Sequence, residues 1–495
     1  MTLKSKGFFK WLLGGVLIVI IIAVGIGYYQ LSKIAPIGTG FNAKIACSGV
    51  FVSGRDFEEV QTIDLGATAS IPFTTRIDKA RQTASSTLYG LFKQTAVYRQ
   101  GLGCTLAVDI SVQQLKQQRF SIPKPSPSAV GNAVWPLGEM TSPDLPSEID
   151  EKKLKTAMEF AFVDPDSADP VHTRAVVAVY NGEIVAEKYA DTYSKETMLL
   201  GWSMTKSVTN ALVGILVNQG KLDIYRPAPV PEWKQPDDPR SRITLDQLLR
   251  MSSGLKFVEE YESNITSDCN KMLFLEPDMG AFAASMPLAV NPEVRWSYSS
   301  GTANIISRII RQTLGGSEQA YAFIQNQLFD RLGMRHAVIE PDAFGTMVGS
   351  SYMYATARDW ARVGLLFLKD GVWQDRRILP RGWVAYSTTP TLKAPRGEYG
   401  AHFWLNAGTP GRPEDRTFPS LPTDLFYMSG HDGQMVAILP SSNLVIVRLG
   451  YTPRSVKTWD EERFLKNFVD AVDSAVPRNI HEDRGQETED TPAVG

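Results

Sequence analysis

The longest apolar run lies near the N-terminus, where no charged residue stands between Trp11 and Tyr29. Roughly 17–25 mostly apolar residues suffice for a helix to cross a bilayer. Lysines precede the run, and this charge bias favours a cytoplasmic N-terminus. We predict a cytoplasmic tip and uncleaved anchor in residues 1–37, a single pass, with the remainder periplasmic or extracellular. A cleaved signal peptide, with 23–25 as a small-x-small site, is the competing interpretation.

Alternation of apolar and polar residues predicts strands further along the chain. Residues 174–180 and 183–189 flank Asn181-Gly182, a pair that favours a type I′ hairpin turn because both residues tolerate positive φ. A second β-rich pair, 433–439 and 444–449, is joined by a short polar turn.

Shorter alternating stretches, such as 49–53 and 104–110, predict a small β-rich extension over residues 38–122. Proline-rich residues 123–147 are typical of an extended linker. The polar tail 477–495 has the composition of a disordered segment.

Helical periodicity appears between the two strand-rich ends of the remaining segment, 148–476. Residues 149–162 and 459–472 predict helices at its ends, and Thr244 with Gln247 forms a capping box inside it. The simplest packing is an α+β arrangement, with one antiparallel sheet built from both ends, flanked by helices and carrying a helical insertion.

Charge and composition exclude several classes of function. A net charge of −2 gives no nucleic-acid footprint. The 5 histidines form no metal-ligand pattern, and neither a phosphate-binding loop nor a dinucleotide fingerprint is present. We therefore expect no metal and no cofactor. No Gly-x-Ser-x-Gly elbow occurs either, which argues against an α/β-hydrolase.

Ser203 and Lys206 are the first candidates for chemistry. They stand at i and i+3, so they share a face of the helix that the following apolar pattern predicts. A serine hydroxyl needs a partner to take its proton, and an amine one turn away can supply that function. Another Ser-x-x-Lys occurs at Ser121, where prolines rule out a regular helix.

Tyr298 precedes a predicted helix over 302–311, a usual place for a site residue. Beside Lys206, its phenol can relay a proton to the leaving group. An aromatic loop anchor is the alternative interpretation of this tyrosine.

His431-Asp432-Gly433 opens the second β-rich pair, where a substrate can approach the backbone at Gly433. The backbone N–H of Gln434 is a candidate to pair with that of Ser203 as an oxyanion hole. A histidine in a turn before a strand is the alternative interpretation.

Ser-x-x-Lys at 203–206, Tyr-Ser-Ser at 298–300 and His-x-Gly at 431–433, in that order, resemble the motifs of the penicillin-recognising, β-lactamase-related serine hydrolases. Class C β-lactamases, D-Ala-D-Ala peptidases and related esterases belong to this group. The likeness runs from about residue 175 to about 468 and is closest to the 6-aminohexanoate-oligomer hydrolase-like branch. It implies the DD-peptidase/β-lactamase-like fold.

The resemblance also implies roles for particular residues. Ser203 would be the acylated nucleophile, Lys206 and Tyr298 the proton-handling pair, and the N–H groups of Ser203 and Gln434 the oxyanion donors. Further candidates for the substrate pocket are Ser300, His431, Gly433 and Trp404, of which Trp404 has core packing as an equal alternative.

The chain departs from the family pattern at two positions. Ser300 stands where class C lactamases carry Asn, and His431 stands where lactamases and peptidases carry Lys. Histidine is largely neutral at pH 7, so it offers no permanent charge to a substrate carboxylate. An ester or amide without that carboxylate is favoured over penicillin.

Export would make a disulfide available to the 3 cysteines. Cys47 and Cys104 both lie among strand-like neighbours in the N-terminal segment, so we pair them and expect Cys269 to be a buried thiol.

The sequence thus predicts a membrane-anchored serine hydrolase acting on a small or short-oligomer amide or ester. A penicillin-binding peptidase or β-lactamase, and a non-catalytic cell-wall-binding relative, remain the alternatives. The natural substrate and the oligomeric state stay open.

Overall fold

The computed structural model describes residues 4–123, 133–164, 170–235, 237–453 and 455–472, with side chains from residue 11 onward. The predicted tail at 477–495 and residues 124–132 of the predicted linker lie outside the described residues. The helices, in chain order, are α1 (Lys4–Phe51), α2 (Phe57–Glu59), α3 (Val112–Gln117), α4 (Glu151–Phe160), α5 (Thr205–Asn218), α6 (Leu245–Leu249), α7 (Asp268–Leu275), α8 (Met279–Ser285), α9 (Ser300–Leu314), α10 (Ser317–Ile324), α11 (Asp330–Leu332), α12 (Ala357–Leu368), α13 (Trp383–Thr388) and α14 (Glu461–Val472).

The strands are β1 (Phe73–Asp78), β2 (Thr83–Leu88), β3 (Leu91–Arg99), β4 (Gly103–Leu106), β5 (Thr173–Tyr180), β6 (Glu183–Tyr189), β7 (Leu199–Leu200), β8 (Ala337–Ile339), β9 (Met353–Ala355), β10 (Val372–Trp373), β11 (Arg376–Arg377), β12 (Trp404–Leu405), β13 (Phe426–Gly430), β14 (Gln434–Leu439) and β15 (Leu444–Gly450). The largest sheet is antiparallel throughout, in the order β12-β13-β14-β15-β5-β6. Strands from both ends of residues 148–476 therefore meet where β15 pairs with β5. The predicted fold class is confirmed.

Burial alternates along the central strands because successive side chains point to opposite faces of a sheet. Val176 and Ala178 pack on one face with α4 and α14, whereas Val177 and Val179 pack on the other face with α12. The hairpin turn follows the prediction, since Asn181 and Gly182 have φ values of 52° and 91°.

The N-terminal region differs from the prediction. Residues 49–51, expected to begin a strand, form the end of α1, and residues 107–110, expected to continue one, lie beyond β4. Helix α1 lies across the four-stranded sheet β1-β2-β3-β4, and residues 42–49 of the helix are buried. A helix buried on all sides has no polar face, so its sequence lacks the helical period of apolar residues. The alternation at residues 49–53 was therefore misleading.

Helix α1 also contains the one stretch of the described residues that is long and apolar enough to cross a membrane, Trp11–Phe51, with a mean hydropathy of 2.5 in its most apolar window. Trp11 and Tyr29 are exposed, whereas the last third of the helix is buried against the rest of the protein.

Two links join the buried part of α1 to the rest of the chain. Lys44 forms an ion pair with Glu340, and Ser48 Oγ donates to Glu340 Oε1 at 2.9 Å. Cys47 is bonded to Cys104 of β4 through a disulfide. Glu340 also accepts a hydrogen bond from the backbone N–H of Cys104, so this carboxylate holds α1 and β4 together.

We expect Lys44→Met to lower the free energy of unfolding by about 3–5 kcal/mol, because it leaves the buried carboxylate of Glu340 without its cation. Adding Glu340→Gln should recover part of this loss. Thermal unfolding of the full-length protein measures both effects.

Lys33→Met is the matched control, since Lys33 lies on the same helix but is exposed. Equal melting temperatures for the Lys33 and Lys44 variants would contradict a structural role for the buried pair.

Candidate active site

Ser203 lies in a 3₁₀ turn, Trp202–Met204, that leads directly into α5. Its side chain is half-buried and borders an open cleft of about 1290 Å³. Lys206, one turn later, is 1% exposed, and its Nζ lies 2.9 Å from Ser203 Oγ. The i, i+3 spacing has therefore brought the hydroxyl and the amine into hydrogen-bonding contact.

The amine of Lys206 has two further acceptors. It donates to Ser300 Oγ at 3.1 Å and to the backbone carbonyl of Ser350 at 2.9 Å. With Ser300 and the Ser350 carbonyl accepting from the amine, its remaining hydrogen-bonding position faces Ser203 Oγ. The amine is thereby held in one position beside the candidate nucleophile.

Tyr298 lies in the loop before α9, and the centroid of its ring is 4.8 Å from Lys206 Nζ. The ring stacks on Trp404, with centroids 5.5 Å apart and planes 26° apart, and packs edge-on against Tyr399. Ser203, Tyr298 and Trp404 all border the same cleft. The structure therefore brings the hydroxyl, the amine and the phenol together.

Ser300 occupies a different place from the one expected. Its side chain is fully buried behind Lys206 and does not line the cleft. Glu259 accepts hydrogen bonds from Ser300 N at 2.7 Å and from Ser300 Oγ at 2.5 Å. Ser300 thus positions Lys206, and Glu259 positions Ser300. Sequence reasoning missed Glu259, because no local motif connects two residues 41 positions apart.

His431 and Gly433 border the cleft, as expected for pocket residues. The imidazole of His431 stacks on Tyr261, with centroids 5.3 Å apart, and meets Trp202 edge-on at 5.7 Å. Its Nε2 lies 3.3 Å from Asp432 and 3.4 Å from Glu262. Aromatic packing and neighbouring carboxylates therefore orient the imidazole.

Gln434 does not border the cleft, which is lined in this region by residues 429–433. It begins β14, pairs with Gly430 of β13, and its side chain donates to the carbonyl of Gly450 at 2.7 Å. Strand β13 lies next to the turn that carries Ser203, since a Cβ on Gly430 would come within 2.2 Å of the Gly201 carbonyl. Gln434 therefore follows directly on the turn that lines the cleft but is not itself part of the lining.

His402 contacts helix α5 at Lys206. It is 2% exposed, and its Nδ1 donates to the backbone carbonyl of Lys206 at 2.8 Å. Burial, together with the nearby charge of Lys206, lowers the pKa of His402 to about 3. The imidazole is therefore neutral at physiological pH. Sequence reasoning assigned this histidine no function.

Cys269 is a buried thiol, as expected, and lies next to Tyr261, which borders the cleft. Burial raises the pKa of the Cys269 thiol well above its ordinary value, so the thiol stays protonated. Within the described part of the chain, no group of His, Cys, Asp and Glu side chains is arranged to hold a metal ion.

Comparisons with known proteins agree with the predicted fold and family. The beta-lactamase family model matches residues 165–466. The chain is 23% identical over 302 residues to the 6-aminohexanoate-dimer hydrolase of Paenarthrobacter ureafaciens. This alignment covers 57% of this chain and 73% of that protein.

Two solved structures have a similar fold. A putative 6-aminohexanoate-dimer hydrolase from Bacillus anthracis superposes with a TM-score of 0.50 at 22% identity, covering 61% of this chain and 79% of that one. A family VIII carboxylesterase superposes with a TM-score of 0.50 at 16% identity, covering 68% and 99%. The match to the family model begins at residue 165, after the N-terminal third of this chain.

We expect the buried imidazole of His402 to make stability depend on pH. The unfolded chain binds a proton at this residue near the ordinary pKa of 6.5, whereas the folded chain does so only near about 3. The free energy of unfolding therefore falls as pH drops through this interval, by at most about 1.4 kcal/mol per pH unit. Urea unfolding midpoints of the wild type at a series of pH values measure this slope.

His402→Asn is the comparison variant, because asparagine tolerates the φ of 61° at this position and does not titrate. Its stability should fall less steeply with decreasing pH. Parallel slopes for the two proteins would rule out His402 as the source.

Proposed function

The chain belongs to the beta-lactamase family, a family of hydrolases, and on that premise we propose that it is a serine hydrolase that cleaves an amide or ester bond through an acyl-enzyme on Ser203. One observation carries the proposal. The Lys206 amine lies 2.9 Å from the Ser203 hydroxyl and 4.8 Å from the centre of the Tyr298 ring, at the edge of one open cleft. We keep the boundaries 148–476 for the hydrolase domain as part of the proposal.

In the first step, Ser203 Oγ attacks the substrate carbonyl while Lys206 accepts the hydroxyl proton. Tyr298 passes a proton to the leaving amine or alcohol, and the carbon–leaving-group bond breaks to give an ester on Ser203. Water then attacks this ester and gives a proton to the same pair, the bond between the acyl carbon and Ser203 Oγ breaks to release the acid, and the pair protonates Ser203 Oγ. The residues at the cleft thus supply every proton movement of acyl transfer.

The negative oxygen of the intermediate needs backbone donors, each contributing about 3 kcal/mol. The N–H of Ser203 at the start of the helix is the first. We assign the second donor to the backbone of the Gly430–His431 turn instead of Gln434, because that turn borders the cleft beside Ser203.

The lining of the cleft favours a substrate without a carboxylate. Acidic side chains outnumber basic ones along it: Glu259, Glu260, Glu262, Asp432 and Glu461 stand against Lys256 and Arg295. His431 replaces the lysine of penicillin-recognising relatives and already faces two carboxylates. A linear amide or ester fits this cleft better than a penicillin does, in line with the similarity to a 6-aminohexanoate-dimer hydrolase.

We further propose that the exposed apolar part of α1 anchors the enzyme in a membrane, with the N-terminus cytoplasmic and the hydrolase domain outside. The support is its length, its hydropathy and the lysines that precede it. A non-catalytic binding protein is the other candidate, and the contacts of Lys206 argue against it, because binding alone does not require an amine beside a serine.

We expect a fluorophosphonate probe to add its mass to Ser203, and Ser203→Ala to abolish both labelling and hydrolysis of short p-nitrophenyl esters. Ser121→Ala is the matched control, since Ser121 belongs to the other Ser-x-x-Lys and is exposed. Unchanged hydrolysis by Ser203→Ala would exclude this site. Labelling by fluorescent penicillin would instead favour the peptidase or β-lactamase alternative.

Tyr298→Phe should lower kcat by roughly 10²–10⁴-fold, because it removes the proton relay while keeping the ring that packs on Trp404. The loss should be larger for amides than for p-nitrophenyl esters, whose leaving group needs no proton. Steady-state kinetics on one amide and one ester test this, and equal losses on both would contradict a role in leaving-group protonation.

A further inference from the structure

A second cavity, of about 360 Å³, lies between the buried part of α1 and the hydrolase domain. Its walls are mostly apolar, with Ile37, Phe41 and Ile45 on α1 and Trp202 and Phe274 opposite. The volume is within the range of small-molecule binding sites, roughly 300–1,000 Å³.

The α1 side of this cavity is a regular stripe. Ile37, Phe41, Ile45 and Gly49 follow one another at intervals of four residues, so they lie on one face of the helix. All of them precede residue 165, where the match to the family begins. The cavity is thus a feature that the N-terminal segment of this chain adds to the family fold.

The charged groups at this cavity are paired within the protein. Asp64 binds Arg55 at 2.6 Å and Arg174 at 2.7 Å. Arg55 also binds Glu59 at 3.1 Å, so two carboxylates balance the two guanidiniums there. The part of a ligand that enters this cavity is therefore apolar.

The cavity shares a wall with the catalytic cleft. Tyr261, Glu262, His431 and Asp432 line both spaces. The side chain of Glu262 is 70% exposed, so the two spaces meet the surface beside it. The apolar cavity therefore lies directly beside the cleft that Ser203 borders.

The cavity is also close to the exposed apolar segment of α1. Ile37 follows Tyr29 by eight residues, which corresponds to about 12 Å along a helix at 1.5 Å per residue. If α1 crosses a bilayer, the cavity lies next to the membrane surface, where amphiphiles concentrate.

We propose that this cavity binds a linear alkyl or acyl chain of the substrate, and that the enzyme hydrolyses amphiphilic amides or esters at the membrane surface. This inference rests on the proposed function, because it assigns the substrate class of the same site. Each methylene that enters the cavity raises kcat/KM by up to about fourfold.

The test compares full-length proteins in lipid nanodiscs on two series of esters. One series lengthens the acyl chain of p-nitrophenyl esters from acetate to decanoate, and the other lengthens the alkyl group of acetate esters. We expect kcat/KM to rise with chain length in at least one series. No rise in either series would overturn the proposal.

Ala67→Trp tests the cavity itself. Ala67 lines the cavity and is exposed, whereas Ala69, two residues on, is also exposed and does not line it. We expect Ala67→Trp to lower the ratio of long-chain to short-chain kcat/KM at least tenfold, and Ala69→Trp to keep the wild-type ratio. Equal ratios for the two variants would overturn the assignment of the cavity.

A binding measurement separates this inference from the catalytic proposal. Loss of Ser203-dependent hydrolysis of every ester would refute the proposed function alone. Binding of a dansyl-labelled decyl amide to the Ser203→Ala protein needs no catalysis. Ala67→Trp should weaken this binding at least tenfold, Ala69→Trp should not, and undetectable binding would overturn the proposal.

Discussion

The amine of Lys206 sets the central constraint of this structure, because it is buried and must keep its hydrogen-bond partners. These partners come from the start of its own helix, from the start of α9 and from the chain before β9. A buried amine that lost one of them would be strongly destabilising. The site and the surrounding fold are therefore stabilised by the same contacts.

A second layer keeps those acceptors in position. Glu259 holds Ser300 through both its backbone and its hydroxyl, and His402 holds the backbone of Lys206. The neutral imidazole of His402 adds no charge beside the amine, which is consistent with its complete burial. The position of the Lys206 amine beside Ser203 thus depends on a second set of residues, of which Glu259 also borders the cleft.

The N-terminal helix is linked to two parts of the fold. Its buried third is joined to the hydrolase domain by the Lys44–Glu340 pair, and to β4 by the disulfide between Cys47 and Cys104. The same third forms one wall of the apolar cavity beside the catalytic cleft. The helix that contains the apolar N-terminal run therefore also forms part of a folded domain.

Local patterns were sufficient for the hairpin at Asn181-Gly182, the capping box at Thr244 and the Ser203–Lys206 contact, because each depends on residues within a few positions of one another. The order of the motifs also indicated the fold and the convergence of Tyr298 on Lys206. Only the tertiary structure decided that residues 49–51 are helical, that Ser300 is buried and that Gln434 does not line the cleft. These features depend on which distant elements cover a segment, and that information is absent from local periodicity.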